Sequence, residues 1–183
     1  MKLFLNKLKK SIDDTIFPPL CLHCQGETAV SKNPLCLHCL QELEHSDRAP
    51  LECFKGLQGL SCSFKHVEAA QTLLFYLRER KLLYLAQGIA AWMAYHYIEK
   101  KYPFPDYIIP IPQTAVRTQF FASNPPLLLA QEIGKLWNIS VKSLLRRRWG
   151  FPYQEHRSLK ERKYVHPATF VVGKKESLEG KII

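Results

Sequence analysis

No uninterrupted apolar run in this chain approaches the roughly 20 residues that a membrane-spanning helix requires, so the sequence predicts no membrane span. The apolar h-region of a secretory signal is also missing. In the opening MKLFLNKLKKSIDDTIFPPL, lysines interrupt Leu3, Leu5, Leu8 and Ile12, and Asp13 and Asp14 follow them. This stretch reads as a short amphipathic helix, and a cytoplasmic location is expected. Cysteine is absent after Cys62, which confines thiol chemistry to the N-terminal part. No internal repeat occurs beyond two cysteine pairs. Acidic residues are scarce: 16 stand against 26 lysines and arginines, for a net charge of +10.

That excess favours polyanionic partners such as nucleic acid, anionic membrane or phosphorylated small molecules, with a merely solvated basic surface as the plain alternative. It is uneven, because Arg146, Arg147, Arg148, Arg157, Arg162 and Lys163 crowd one stretch. Across 183 residues, 46% apolar and 23% charged composition is that of one medium folded domain or two small ones.

Cys21-Leu-His-Cys24 and Cys36-Leu-His-Cys39 are written almost identically. A two-residue gap lets both thiolates of a pair turn toward one ion, and zinc takes four such ligands tetrahedrally at about 2.3 Å. Gly26, Asn33 and Pro34 supply turn residues between the pairs. In a cytoplasmic protein the pattern favours metal over disulfides, with buried free thiols or a redox pair as the competing readings. Cys21, Cys24, Cys36 and Cys39 are therefore the expected ligands of a structural Zn2+. Four thiolates close the site, so His23 and His38 are expected to be exposed or to donate hydrogen bonds near the sulfurs. Cys53 and Cys62 begin similar units whose second positions are Gly56 and Lys65, a degenerate second knuckle with no metal expected.

Further along, Leu37–Leu43 reads as a short helix, followed by turns around Ser46–Pro50 and irregular chain over 51–66, with a short strand near Ser63–Val67. Glu68–Tyr102 is helical in composition, bent at Arg78-Glu-Arg-Lys81. Trp92, Tyr95, His96 and Tyr97 fit core packing better than a cofactor cage. Pro103 and Pro105 end the helix. Tyr107–Pro112 then reads as a buried parallel strand, and Pro125 or Pro126 starts a helix running to Trp137. Ile139–Arg146 and Ala168–Val172 read as strands, separated by a basic loop over 147–166. Leu178–Ile183 reads as a turn feeding one more strand. This order argues for an α/β sheet.

The order FPPLCLHC, a second cysteine pair, a helical stretch, DYIIPIP, LLLAQEIG, LLRRR, then Gln154, Leu159, Arg162, Phe170 and LEGKII resembles the ComF family over nearly the whole chain. These are competence-associated proteins with a zinc ribbon ahead of a type I phosphoribosyltransferase domain. The resemblance implies an α/β fold: an incomplete type I phosphoribosyltransferase-like parallel sheet with an N-terminal zinc ribbon. Residues 1–66 would form the N-terminal helix and zinc-ribbon module, and 67–183 a partial phosphoribosyltransferase-like domain.

The departures from the family pattern shape the functional expectation. Where the family carries Arg-Gly-Phe-Asn for a phosphorylated ligand, this chain has Phe121, Ala122, Ser123 and Asn124, so only the asparagine is kept. The arginine fork best suited to phosphate is lost. The family's Arg-x-x-Asn becomes Arg162 followed by Val165. In the family, a segment like Gly-Lys-Ile-Ile leads into two acidic residues and a Thr-Thr-Gly loop that bind phosphoribosyl pyrophosphate. The sequence ends at Ile183 before either, which implies a C-terminally truncated member without self-contained catalysis. That argues against phosphoribosyl pyrophosphate as its ligand. The expected role is DNA uptake through binding of single-stranded DNA or a competence-machinery protein. Asn124, Arg146, Arg147, Arg148, Arg157, Arg162 and Lys163 are the candidate phosphate or nucleic-acid contacts, with Trp149, Phe151 and Tyr153 interleaved for stacking. The alternatives are a phosphoribosyltransferase whose donor-binding loop lies outside this chain, or a non-functional fragment.

Overall fold

A computed structural model of the chain describes residues 20–28, 33–44, 59, 62–64, 68–113, 124–148, 158, 160, 166–173 and 177–183. The chain divides into two compact units, Met1–Arg80 and Lys81–Ile183. The boundary expected at 66/67 falls ahead of a helix that the structure groups with the first unit.

In the first unit, an antiparallel bridge between Leu20 and Glu27 closes a tight loop around the first cysteine pair. Inside it, the Cys21 N–H donates to the Gly26 carbonyl at 2.8 Å, and the Gln25 N–H donates to the Cys21 carbonyl at 3.0 Å. Gln25 takes a left-handed conformation with φ 61°, the local cost of so sharp a return. The Leu22 N–H reaches the Pro34 carbonyl at 2.9 Å, tying the loop to the chain that leads into the second pair. Helix α1, Leu37–Glu44, carries Cys39 of that second pair and buries Cys39 and Leu43, one turn apart. It packs against α2, Glu68–Arg78, which buries Ala69, Ala70, Leu73 and Leu77 on one stripe. Fully burying a leucine stabilises by roughly 1.5–3 kcal/mol, and Leu77 is wholly inaccessible. Glu68 in the first turn and Arg78 in the last complement the helix dipole. The break expected at Arg78–Lys81 is present, with Lys81 left-handed at φ 56°. The strand expected over Ser63–Val67 is not seen at Ser63 and Phe64, which form a bend; 65–67 lie outside the described residues.

The second unit is built on α3, Leu85–Glu99, packed against α4, Pro125–Trp137. The inward positions of α3, including Leu85, Ala86, Ile89, Ala90 and Ala94, recur at helical spacing. The α4 helix starts as its sequence dictates. Pro125 opens it, where a missing N–H costs nothing, and the Asn124 side chain accepts from the Leu127 N–H at 3.3 Å. At its other end Asn138 is left-handed (φ 54°) and donates its N–H to the Gly134 carbonyl, which also accepts from Ile139 at 2.9 Å.

Between these helices in the chain runs strand β1, Tyr107–Ile108, which pairs in parallel with β2, Ser140–Val141, in the register Tyr107↔Ser140 and Ile108↔Val141. The expected strand over Tyr107–Pro112 is thus realised only in its first two residues. Pro110 and Pro112 have no N–H to give a ladder. The strand expected over Ile139–Arg146 divides. After β2 the chain leaves the parallel pair, and β3, Leu145–Arg147, pairs antiparallel with β4, Phe170–Val172. A short 3-10 turn, Pro167–Thr169, takes the start of the strand expected over Ala168–Val172. The fold is therefore mixed α/β with one small parallel and one small antiparallel sheet among the described residues, in place of a single parallel sheet.

The last residues close on β1. A turn at Gly180 (φ 73°) precedes Ile182, whose carbonyl accepts from the Asp106 N–H at 2.8 Å. The Ile182 N–H donates in return to Asp106 Oδ2 at 3.0 Å, and Lys181 Nζ lies 3.1 Å from Oδ1. Among the described residues, no helix is long and apolar enough to cross a membrane.

Candidate metal centre

Cys21 and Cys24 stand on the loop closed by the Leu20–Glu27 bridge, and Cys36 and Cys39 on the entry and first turn of α1. The four sulfurs lie within 4.8 Å of one another. The Cys24 and Cys36 sulfurs are 3.5 Å apart, far beyond the roughly 2.05 Å of a disulfide, and all four thiols are free. An ion bound tetrahedrally at about 2.3 Å would separate its sulfurs by about 3.8 Å. The cluster fits a metal ion held by four thiolates, as the cysteine spacing predicts.

The cluster is lopsided. Cys21 and Cys39 are buried, whereas Cys24 is exposed and Cys36 half-buried. Gly26 belongs to this geometry, since a Cβ there would sit 3.3 Å from the Cys24 sulfur. The thiols are electrostatically unequal too. Burial pushes Cys21 up, but backbone N–H groups of Cys24, Cys36 and His23, with the Cys24 thiol, outweigh it and bring it down to about 6. At Cys39 burial dominates, reinforced by the Cys36, Cys24 and Cys21 sulfurs, and its thiol is pushed well above the usual range. For Cys24 the Gly26 N–H pulls downward, yet the Cys36 and Cys21 sulfurs together leave it raised. At Cys24 and Cys39 the neighbouring sulfurs thus oppose ionisation. Each further deprotonation is repelled by negative charge already there, and a divalent ion relieves that repulsion.

The two histidines of the pairs are treated differently by the fold. His38 is exposed, 3.6 Å from Glu42 one turn later on α1. His23 is half-buried: its Nδ1 lies 2.9 Å from Thr72 Oγ1 on α2, and its Nε2 lies 3.9 Å from Glu68. His23, Cys39 and Glu42 also form a group whose ligand atoms lie within 4.8 Å of one another. Nothing in the two identical Leu-His dipeptides distinguishes one imidazole from the other, so spacing alone does not reveal Thr72, Glu68 and Glu42 around His23. A glutamate one turn from a cysteine pair is the signal the sequence does carry. Of the remaining cysteines, Cys62 is exposed and donates to the Phe64 carbonyl at 2.9 Å, and Cys53 lies outside the described residues.

Of the candidate anion contacts, Asn124, Arg146, Arg147 and Arg148 are among the described residues. Asn124 Oδ1 is engaged in capping α4. Arg146 on β3 and Arg148 just past its end are exposed, and Arg147 between them is half-buried, which is strand alternation. The Arg148 N–H extends the β3–β4 pairing by donating to the Thr169 carbonyl at 3.0 Å. The Arg146 side chain crosses Gly173, where a Cβ would meet its Nε at 2.8 Å. Arg157, Arg162, Lys163 and the aromatics Trp149, Phe151 and Tyr153 lie outside the described residues. Comparison of the chain with protein-family models, curated proteins and solved structures found no match.

Proposed function

We propose that this chain is a ComF-like protein whose cysteine cluster holds a structural zinc, and which binds single-stranded DNA through its basic second unit during DNA uptake. The observation that carries the nucleic-acid reading is the outward pair Arg146 and Arg148, on alternate positions at the end of β3, in a chain of net charge +10. Extended chain presents such a pair along one line, as a phosphate backbone requires, and Trp149 follows directly in sequence to offer a base a stacking face. Zinc is favoured for the cluster because four thiolates are a soft, closed, tetrahedral donor set. Such a site leaves no position for a reacting water, so this ion would hold structure and leave chemistry aside. Self-contained phosphoribosyl transfer is not part of the proposal. Asn124, the one residue kept from the family's phosphate-loop pattern, spends its side chain on the α4 N-terminus.

The test is fluorescence anisotropy with labelled single-stranded DNA over a range of salt. Binding should weaken linearly on logarithmic axes, and the double variant Arg146→Gln, Arg148→Gln should lower the slope by about 0.7 for each phosphate it no longer neutralises. Salt-independent binding, or a double variant with wild-type slope, refutes the assignment. Turnover of phosphoribosyl pyrophosphate by the purified chain would refute the non-catalytic part.

A further inference from the structure

We infer that His23, Cys39 and Glu42 form a second divalent-metal site beside the four-thiolate cluster, with the Cys39 sulfur shared between the two ions. The ligand atoms of these three residues lie within 4.8 Å of one another, and nitrogen, sulfur and carboxylate oxygen are the donor set that zinc-class ions take. The inference goes beyond the structural zinc of the proposed function, but it rests on that reading where it makes Cys39 a bridge.

His23 is arranged as metal-binding histidines are. A ligating imidazole gives one nitrogen to the ion and donates its other N–H to a fixed acceptor, which sets tautomer and ring orientation. Here Nδ1 lies 2.9 Å from Thr72 Oγ1 on α2, which leaves Nε2 for an ion. The ring is half-buried. Glu42 lies on α1 one turn from His38, at 3.6 Å. A thiolate has lone pairs for two ions, so Cys39 can serve both sites. Three protein ligands leave a fourth position open, and Glu68, 3.9 Å from His23 Nε2, is placed to accept a hydrogen bond from a water there. The first site is closed and the second is open, so the second ion would exchange faster and could polarise a bound water.

The experiment is a metal titration of the full chain with Zn2+, read by elemental analysis after removal of free metal. A parallel titration with Co2+ is read by absorption. The wild-type protein should hold about two equivalents. His23→Gln and Glu42→Gln should each lose about one and keep the strong thiolate-to-cobalt absorption of the four-sulfur site. Thr72→Val, which touches no ion, should weaken the second equivalent about 10–100-fold, the size expected when an outer partner of a ligand is removed. About one equivalent in all four proteins, with four-sulfur absorption unchanged, overturns the second site and leaves the first standing. If instead about one equivalent binds, is lost in His23→Gln and Glu42→Gln, and lacks four-sulfur absorption, the second ligand set is upheld and the four-thiolate reading falls. Binding of no metal overturns both. Glu42 is exposed, so Glu42→Gln keeps the test valid should His23→Gln disturb packing.

Discussion

Gly134 shows how much one missing Cβ can position. Its carbonyl accepts the two N–H groups that end α4, and a Cβ on it would sit 2.8 Å from both the Ile139 carbonyl oxygen and Val141 Cγ2. The absent side chain is what lets β2 lie against the helix that precedes it. Alanine in a helix gains about 1 kcal/mol over glycine, but an obstructing backbone carbonyl cannot rotate away, and overpacking costs about 1–3 kcal/mol. Gly134→Ala should therefore destabilise the chain by up to about 2 kcal/mol, read as a lower urea midpoint. A higher midpoint would mean that β2 does not depend on this contact. At the same scale the gathering of Cys21, Cys24, Cys36 and Cys39 was legible from spacing alone, because two close pairs can turn toward one point. The environment of His23 was not. The same dipeptide is written before Cys24 and Cys39, and only the placement of the first-pair loop beside α2 sets one imidazole next to Thr72.

Helices were easier to anticipate than strands, and the reasons are local. Asn124, Pro125 and Asn138 mark the ends of α4 through their own backbone and side-chain preferences, so the boundary is written where it occurs. A strand's partner is not written there. Residues 139–146 read as one strand, yet Ser140 and Val141 pair with β1, whereas Leu145 to Arg147 pair with β4. The attachment of Ile182 to Asp106 is another long-range pairing that composition could not disclose. It carries a pH signature. The Ile182 N–H, then Lys181, hold the Asp106 carboxyl below its ordinary 3.8, and Asp106 in turn raises Lys181. A lowered carboxyl contributes stability above its unfolded value and loses it as pH falls through the folded one. A raised lysine contributes below its own ordinary value and loses it as pH rises past the folded one. The clamp is thus complete through neutral pH and opens at both extremes. An NMR titration of the Asp106 carboxyl should move partway back toward 3.8 in Lys181→Met, because the backbone donor, the larger cause, remains. No movement would remove Lys181 as a cause.

For the whole molecule, the division into Met1–Arg80 and Lys81–Ile183 would bound the reach of a metal held by the four cysteines. Ligation in small thiolate modules supplies about 10–16 kcal/mol of apparent folding energy. The described part of the first unit otherwise rests on a modest core of Leu35, Leu43, Leu73 and Leu77 with two alanines. Chelation, or Cys21→Ser, should accordingly raise amide hydrogen exchange in α1 and α2 and leave α4 protected. Unchanged exchange in α1 would show that the thiols do not hold that unit together. The mixed α/β composition was readable from the order of apolar and helical stretches, but the split into two small sheets was not, since it depends on pairings between distant segments.

The uneven burial of the four sulfurs also sets a direction of traffic. With Cys21 and Cys39 beneath and Cys24 facing solvent, an arriving ion would meet the outer thiols first and finish on the inner ones. A departing ion would retrace that path. Competing thiols and small chelators would then attack at Cys24, and the rate of loss would follow their access to that one sulfur more closely than the strength of the whole cage.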